Sequence, residues 1–174
     1  MKTIEIRRHS IRSKLGDHLS QQGVTLARLI GENLGPFDSV ITSTLPRAFE
    51  TAIAMGFAVD EQNELMSTYG NAVEREAPWP LSLAGYAEIV SKGGAAAEYA
   101  NQLSLVYSKI ANYLAEGRAA LVINHGGVLE LGAVACLPEA DHLKWGSHFE
   151  YCEGIRLFWE DGKWVEGEIL RVST

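Results

Sequence analysis

The sequence predicts an α/β fold, a three-layer sandwich in which helices flank a mostly parallel central sheet and a β-hairpin ends the chain. Short apolar runs alternate with longer segments whose apolar residues recur every three or four positions, as strands alternating with helices do. Polar, reactive side chains directly follow two of the apolar runs, which is typical of the ligand-binding edge of such a sheet. Asp161-Gly162, between two later apolar runs, favours the turn of a hairpin.

The first half of the chain contains two strand-to-helix units. Residues 3–6 alternate between apolar and polar side chains and predict a strand that ends at a run of charged residues. Ser20 has the chemistry of an N-cap for the following helix, which a Gly-Pro pair ends. Residues 39–42 predict a short buried strand, and a proline in its first turn suits a helix over residues 46–55.

The second half repeats this alternation after an irregular segment. Residues 71–94 are rich in proline, glycine and tryptophan without clear periodicity, and they predict a long excursion able to cover a site. The remaining predicted elements are a helix over 95–116, a buried strand over 120–123, a helix over 128–137 and two hairpin strands over 155–159 and 164–172.

The composition is that of one globular domain over residues 1–174. With 47% hydrophobic residues and no low-complexity run, the chain has enough apolar side chains for one core. No apolar stretch resembles a secretory signal or a membrane span, and 2 cysteines are too few for a disulfide framework or a zinc site. We therefore expect a cytoplasmic protein without a membrane partner.

The charge of the chain argues against nucleic-acid binding and indicates a small anion instead. The formal net charge is −7, whereas general nucleic-acid binding needs a basic surface. The first 14 residues nevertheless carry a net charge of +4, from five basic side chains and one acidic. A local basic cluster in an acidic protein suits a small anionic ligand.

Three segments at predicted strand ends or helix starts contain the side chains of a phosphoryl-transfer site. They are Arg8-His9, Ser43 with Arg47, and His125-Gly126-Gly127. A guanidinium donates two parallel hydrogen bonds to phosphate, and a neutral imidazole can attack phosphorus and hold it covalently. The set therefore predicts a phosphohistidine intermediate on His9.

The same segments, in the same order, resemble the histidine phosphatase superfamily, the phosphoglycerate mutase-like proteins. The resemblance covers nearly the whole chain and rests on four motifs, which are much more specific together than singly. The family's Arg-His-Gly, Asp-x-x-Leu-Thr-x-x-Gly, Ser-x-x-x-Arg-Ala-x-x-Thr-Ala and His-Gly-Gly are matched by residues 8–10, 17–23, 43–52 and 125–127. The resemblance implies a phosphatase that needs no cofactor or metal.

The resemblance also implies roles for individual residues. His9 would take the phosphoryl group. We expect the oxygens of that group to be bound by Arg8, Ser10, Arg12, Arg47, His125 and Gly126. Two arginines with an imidazolium stabilise charge on phosphate oxygens without a metal ion. We therefore expect His125 to be protonated when phosphate is bound, and His9 to attack as a neutral imidazole.

Two departures from the family pattern matter. Ser10 stands where the family usually has glycine, so its side chain must fit beside the phosphate or point away. The family's general acid follows the helix of Arg47 in a Leu-x-Glu segment, whereas this chain has serine there, at Ser67. Glu64 and Glu74 are the neighbouring alternatives, and Glu74 is our candidate acid.

The acid bears on the substrate. General acid catalysis contributes roughly 10²–10⁴-fold when the leaving group is an alkoxide, but a phosphohistidine leaves readily without a donated proton. We therefore predict a metal-independent phosphatase that acts on a small phosphorylated metabolite if Glu74 reaches the site, and on protein phosphohistidine if no carboxylate does. The alternative is a phosphate-binding or regulatory protein with little turnover. A phosphoglycerate-type mutase is disfavoured because the chain is short and the usual Gly-Glu after the nucleophile is missing.

Overall fold

A six-stranded sheet forms the centre of the structure, a computed structural model that describes residues 1–173. The strands are β1 (Lys2–Arg8), β2 (Ser39–Thr42), β3 (Glu61–Gln62), β4 (Ala119–Asn124), β5 (Gly154–Glu160) and β6 (Lys163–Leu170). They lie side by side in the order β3-β2-β4-β1-β5-β6. The first four of these neighbours are parallel, while β5 and β6 form an antiparallel hairpin. The predicted fold class is confirmed.

Seven α-helices surround the sheet in the described residues. They are α1 (Gln21–Gly31), α2 (Pro46–Ala54), α3 (Gly70–Glu76), α4 (Leu83–Ser91), α5 (Ala95–Tyr113), α6 (Val128–Cys136) and α7 (His142–Trp145). Ser20 caps α1 as predicted, since its Oγ accepts a 3.0 Å hydrogen bond from Gly23 N. Within residues 1–173, no helix combines the length and the apolar character that crossing a bilayer would require.

The sheet has a hydrophobic core on each face, which makes the fold a three-layer sandwich. Successive residues of β4 point to opposite faces, because side chains alternate along a strand. Ala120 and Val122 pack in the core formed with α3 to α7, whereas Leu121 and Ile123 pack in the core formed with α1 and α2. All four are fully buried. This explains why β4 is a continuous apolar run rather than an alternating one.

The segment over residues 71–94 differs from its prediction as an irregular excursion. It contains most of α3 and all of α4, two helices of 7 and 9 residues. Val73, Leu83 and Tyr86 anchor these helices in the core. Helices this short bury one or two positions each, so no sustained period is visible in the sequence. The strand β3 and the helix α7 were not predicted either, because they have only 2 and 4 residues.

Candidate phosphate site

The ends of three neighbouring strands bring the predicted site residues together. Arg8 and Asn124, the last residues of β1 and β4, are partners in the parallel register. His9 and His125 therefore follow side by side, and their ring centroids lie 5.1 Å apart. On the other side of β4, Ser43 directly follows β2, and its N–H donates a 3.1 Å hydrogen bond to the Ile123 carbonyl. This is the carboxyl edge of the sheet, where open α/β folds bind ligands.

A cleft of about 430 Å³ opens at this edge. Its walls are formed by Arg8, His9, Arg12, Arg47, Tyr69, Glu74, Trp79, Gly126 and Tyr151. Three guanidiniums thus share one cleft in a protein whose net charge is −7. A second cleft, of about 460 Å³ between α6, α7 and β6, contains no histidine or arginine. Within residues 1–173, no three His, Cys, Asp or Glu side chains are grouped as a metal site requires.

His9 is held as a neutral imidazole with one defined tautomer. Its Nδ1 lies 2.7 Å from the carbonyl oxygen of Ser10. A carbonyl can only accept a hydrogen bond, so Nδ1 carries the proton and Nε2 keeps its lone pair. Burial, together with nearby arginine charges, lowers the pKa of His9 to about 3. A buried, neutral imidazole with a free Nε2 is the form that can act as a nucleophile.

His125 has the opposite arrangement, because its Nδ1 has no hydrogen-bond partner among the residues that the structure describes. Its Nε2 lies 2.6 Å from Ser43 Oγ. That oxygen also accepts a hydrogen bond from Leu45 N, and we take its own proton to be donated to Nε2, which places the imidazole proton on Nδ1. Burial, followed by the charges of His9 and the arginines, lowers the pKa of His125 to about 2. His125 is therefore neutral here and can still donate from Nδ1. Its protonation with phosphate bound stays a prediction.

The two arginines are fixed by contacts that leave part of each guanidinium unused. The Arg8 guanidinium carbon lies 4.3 Å from the ring centroid of Tyr151 and 5.1 Å from that of Trp79, while Arg8 Nη1 donates to the Phe149 carbonyl at 3.2 Å. Arg47 Nη1 donates to Asp17 at 3.3 Å.

Three buried donors of this site have no hydrogen-bond partner in the described part of the chain. They are Arg8 Nε, Arg47 Nε and His125 Nδ1. Only six buried side-chain nitrogen or oxygen atoms in residues 1–173 lack a partner, so half of them meet at one edge of the sheet. Leaving a buried donor unsatisfied costs about 1–3 kcal/mol, more for a charged group, so such a concentration marks a place for an external acceptor.

Two of the predicted phosphate contacts, Arg12 and Ser10, differ in their position relative to the cleft. Arg12 lies on the cleft wall and is exposed to solvent. Ser10 does not line the cleft: its Oγ donates to the Gly23 carbonyl at 2.7 Å, and its N–H donates to Thr51 Oγ1 at 2.9 Å. Both polar groups of Ser10 are therefore used inside the protein, which argues against the predicted phosphate contact. The side chain points away because α1 offers it a buried acceptor.

The structure separates the two candidate acids. Glu74 lies on the cleft wall, where its Oε2 accepts a 2.8 Å hydrogen bond from the Tyr69 hydroxyl. Glu64 accepts a hydrogen bond from Thr44 Oγ1 and does not line the cleft. Ser67, at the family's usual acid position, is also bonded to Thr44, with its Oγ accepting from Thr44 N at 3.0 Å. Among residues 1–173, Glu74 is the one carboxylate on the wall.

Sequence reasoning missed three residues of the site, Tyr69, Tyr151 and Glu130. The tyrosines gave no signal, because they lie in connecting segments without a motif. Glu130 is fully buried and accepts hydrogen bonds from Gly127 N at 2.6 Å and Phe149 N at 2.9 Å. Burial raises its pKa to about 7. A glutamate at the third position of a predicted helix is a capping signal that could have drawn attention to it.

Comparisons with known proteins agree in structure rather than in sequence. No family model matches the chain, and no curated protein matches it. Phosphoserine phosphatase from Entamoeba histolytica, solved with 3-phosphoglyceric acid, superposes with a TM-score of 0.69 at 15% identity, over 99% of this chain and 98% of that one. The fold is that of the histidine phosphatases.

Two further solved structures have the same histidine phosphatase fold. A mycobacterial glucosyl-3-phosphoglycerate phosphatase, in complex with VO₃, has a TM-score of 0.69 at 19% identity and covers 99% of this chain and 100% of that one. A phosphoglycerate mutase from Bacillus anthracis has a TM-score of 0.67 at 16% identity and covers 98% and 92%. The resemblance found in the sequence is thus matched by the whole architecture.

Proposed function

We propose that this protein is a phosphatase that transfers the phosphoryl group of a small phosphorylated metabolite to Nε2 of His9 and then to water. The observation that carries the proposal is the set of three buried donors, on Arg8, Arg47 and His125, that have no partner within residues 1–173 and surround a neutral His9. A tetrahedral anion supplies the oxygen acceptors that these donors lack. The similar folds of two phosphatases, solved with 3-phosphoglyceric acid and with VO₃, support the same class of ligand.

In the first step, Nε2 of His9 attacks phosphorus and the bond to the leaving oxygen breaks. The developing charge on the equatorial oxygens is stabilised by the guanidiniums and by the Nδ1–H of His125, which are already oriented before the substrate arrives. Glu74, protonated, donates its proton to the leaving oxygen. The products of this step are an alcohol and a phosphohistidine.

In the second step, a water molecule attacks phosphorus. Glu74, now a carboxylate, takes a proton from that water, the bond between phosphorus and His9 Nε2 breaks, and inorganic phosphate is released. The imidazole returns to its neutral form with the Nδ1 proton still held by the Ser10 carbonyl. The cycle needs no net proton change on His9.

The position of Glu74 favours a phosphomonoester over protein phosphohistidine as the substrate. An alkoxide is a poor leaving group and gains from a donated proton, whereas a phosphohistidine does not need one. Similar structures were solved with phosphoserine and with 3-phosphoglyceric acid, both small molecules with an ordinary phosphate ester. The alternative is a protein that binds phosphate without turnover, which Ser67 at the usual acid position favours.

Phosphate release from p-nitrophenyl phosphate, an activated phosphomonoester, tests the proposal. We expect turnover by the wild type and a loss on the order of 10³-fold or more for His9→Ala. His142→Ala is the matched control, since His142 lies on α7 and its Nε2 is bonded to the Leu137 carbonyl, away from the cleft. Rapid alkaline quenching should trap a phosphohistidine in the wild type only, because the phosphorus–nitrogen bond is stable in base and labile in acid. Equal release by His9→Ala would contradict the nucleophile assignment, and no release with normal phosphate binding would favour the binding protein.

A further inference from the structure

We propose that Glu130 is a positioning residue that fixes the two sides of the phosphate cleft relative to each other, the His125 turn on one side and Arg8 on the other. The inference rests on the proposed function, because it assigns to Glu130 the preorganisation of that anion site. Glu130 itself lies behind the cleft, not on its wall, so it would act through the groups that it holds.

One side of the cleft is the tight turn after β4. Gly127 has a φ of +83°, a backbone conformation that side chains disfavour, and a Cβ there would lie 2.8 Å from the Tyr69 ring. A Cβ at Gly126 would lie 2.4 Å from the Trp79 ring. The turn is thus closely confined on its outer surface. Glu130 holds it from within, through the 2.6 Å hydrogen bond from Gly127 N.

The other side of the cleft is the segment that holds Arg8. Phe149 is fully buried and uses both of its peptide groups: its N–H donates to Glu130 at 2.9 Å, and its carbonyl accepts from Arg8 Nη1 at 3.2 Å. Two residues further on, Tyr151 packs its ring against the same guanidinium. A single residue, Phe149, therefore connects the Glu130 carboxylate to the arginine that would bind the phosphate.

The chemistry of a carboxylate fits this position. Its two oxygens accept the two N–H groups simultaneously, whereas an amide would offer one acceptor and an aliphatic side chain none. The titratable groups that face Glu130 are Arg8 and the tyrosines Tyr69, Tyr86 and Tyr107. Glu130 forms no ion pair within residues 1–173, so its fixed partners are the two backbone donors. A buried carboxylate used in this way is costly to folding, which favours a functional reason for its presence.

Sulfate binding measured by titration calorimetry tests the proposal, because the charge of sulfate does not change near neutral pH. We expect Glu130→Gln to weaken sulfate binding roughly tenfold or more, as one backbone N–H loses its acceptor. Glu76→Gln is the matched control: Glu76 also accepts two backbone N–H groups, from Ala95 and Ala96, but lies outside the cleft. Sulfate affinity of Glu130→Gln within about twofold of the wild type would overturn the proposal.

A double-mutant cycle separates positioning from general destabilisation. In an Arg8→Lys background, which removes the donor that Phe149 orients, Glu130→Gln should lose much of its effect on sulfate affinity. Fully additive losses would show that Glu130 does not act through Arg8 and would overturn the assignment.

A measurement on the wild type covers the case in which Glu130→Gln fails to fold. Sulfate should shift the amide resonances of both Gly127 and Phe149. Both N–H groups belong to the segments that position the anion-binding residues His125 and Arg8. Shifts of neither resonance during saturable sulfate binding would overturn the role of Glu130 alone. Absence of sulfate binding to the wild type would overturn the anion site, and with it both proposals.

Discussion

The hydroxyl of Tyr69 donates a 2.8 Å hydrogen bond to Glu74, on the wall of the cleft that contains His9. Tyr69 directly precedes α3 and Glu74 lies within it, so the carboxylate is held at the cleft although the family's usual acid position has a serine. Burial and the neighbouring carboxylate raise the pKa of Tyr69, which therefore keeps its proton and remains a donor. The Tyr69–Glu74 pair explains how Glu74 could serve as the proton donor although the family's usual acid position has a serine.

Glu74→Gln should lower activity in proportion to how poor the leaving group is. We expect kcat/KM to fall about 10²–10³-fold for glycerol phosphate, an alkyl ester, and less than about tenfold for p-nitrophenyl phosphate, whose leaving group needs no proton. Steady-state kinetics on a series of phosphate esters with graded leaving groups is the measurement. Glu64→Gln is the control and should leave kcat/KM unchanged for both substrates. Equal losses on both substrates would contradict a role in proton donation.

Ser43→Ala should weaken anion binding through His125. Without the Ser43 hydroxyl, nothing holds the imidazole proton on Nδ1, and the donor facing the anion is no longer fixed. We expect a loss of about 1 kcal/mol in sulfate binding, roughly fivefold to tenfold, measured by calorimetry. Nitrogen chemical shifts of the His125 ring should report a change in tautomer. Ser104→Ala, at a serine of α5 that contacts Cys136, should change neither quantity.

The free protein should lose stability as pH falls below about 6.5. The folded pKa values of His9 and His125 are lowered from 6.5 to about 3 and about 2, mainly by burial, so the unfolded chain binds more protons across that interval. The pKa of Glu130 is raised from 4.5 to about 7, so its contribution has the opposite sign: it favours the folded state increasingly as pH falls from about 7 to 4.5. The contributions of the two imidazoles to the pH dependence of stability oppose that of the one carboxyl. We expect the imidazole contributions to be the larger.

Urea unfolding at pH 5.0 and 7.5 measures this balance. The free energy of unfolding should be lower at pH 5.0 in the wild type, and His125→Asn should reduce the difference between the two pH values. Glu130→Gln should enlarge it, because the opposing contribution is removed. A wild type that is more stable at pH 5.0 would show that the histidines are not held neutral by burial.

Several features of this protein could be read from the sequence because they are encoded locally. An apolar run such as residues 120–123 predicts its own strand, and the polar residue that follows must lie at the end of that strand. Parallel strands end at the same edge of a sheet, so Arg8, His9 and His125 were expected to meet before any contact was known. Ser20 and Pro46 mark helix starts through chemistry within one turn of the chain.

Other features depended on contacts between segments far apart in the sequence, and only the tertiary structure decided them. Glu64 and Glu74 are both glutamates with the same side-chain chemistry. Packing alone directs Glu64 to Thr44 and Glu74 to the cleft. The orientation of Ser10 depends on a carbonyl of α1, 13 residues away. Glu130 gains its role from Phe149, 19 residues later. Local sequence determined which reactive groups reach this edge of the sheet, whereas long-range packing determined their hydrogen-bond partners, and therefore which of them keep a donor free for phosphate.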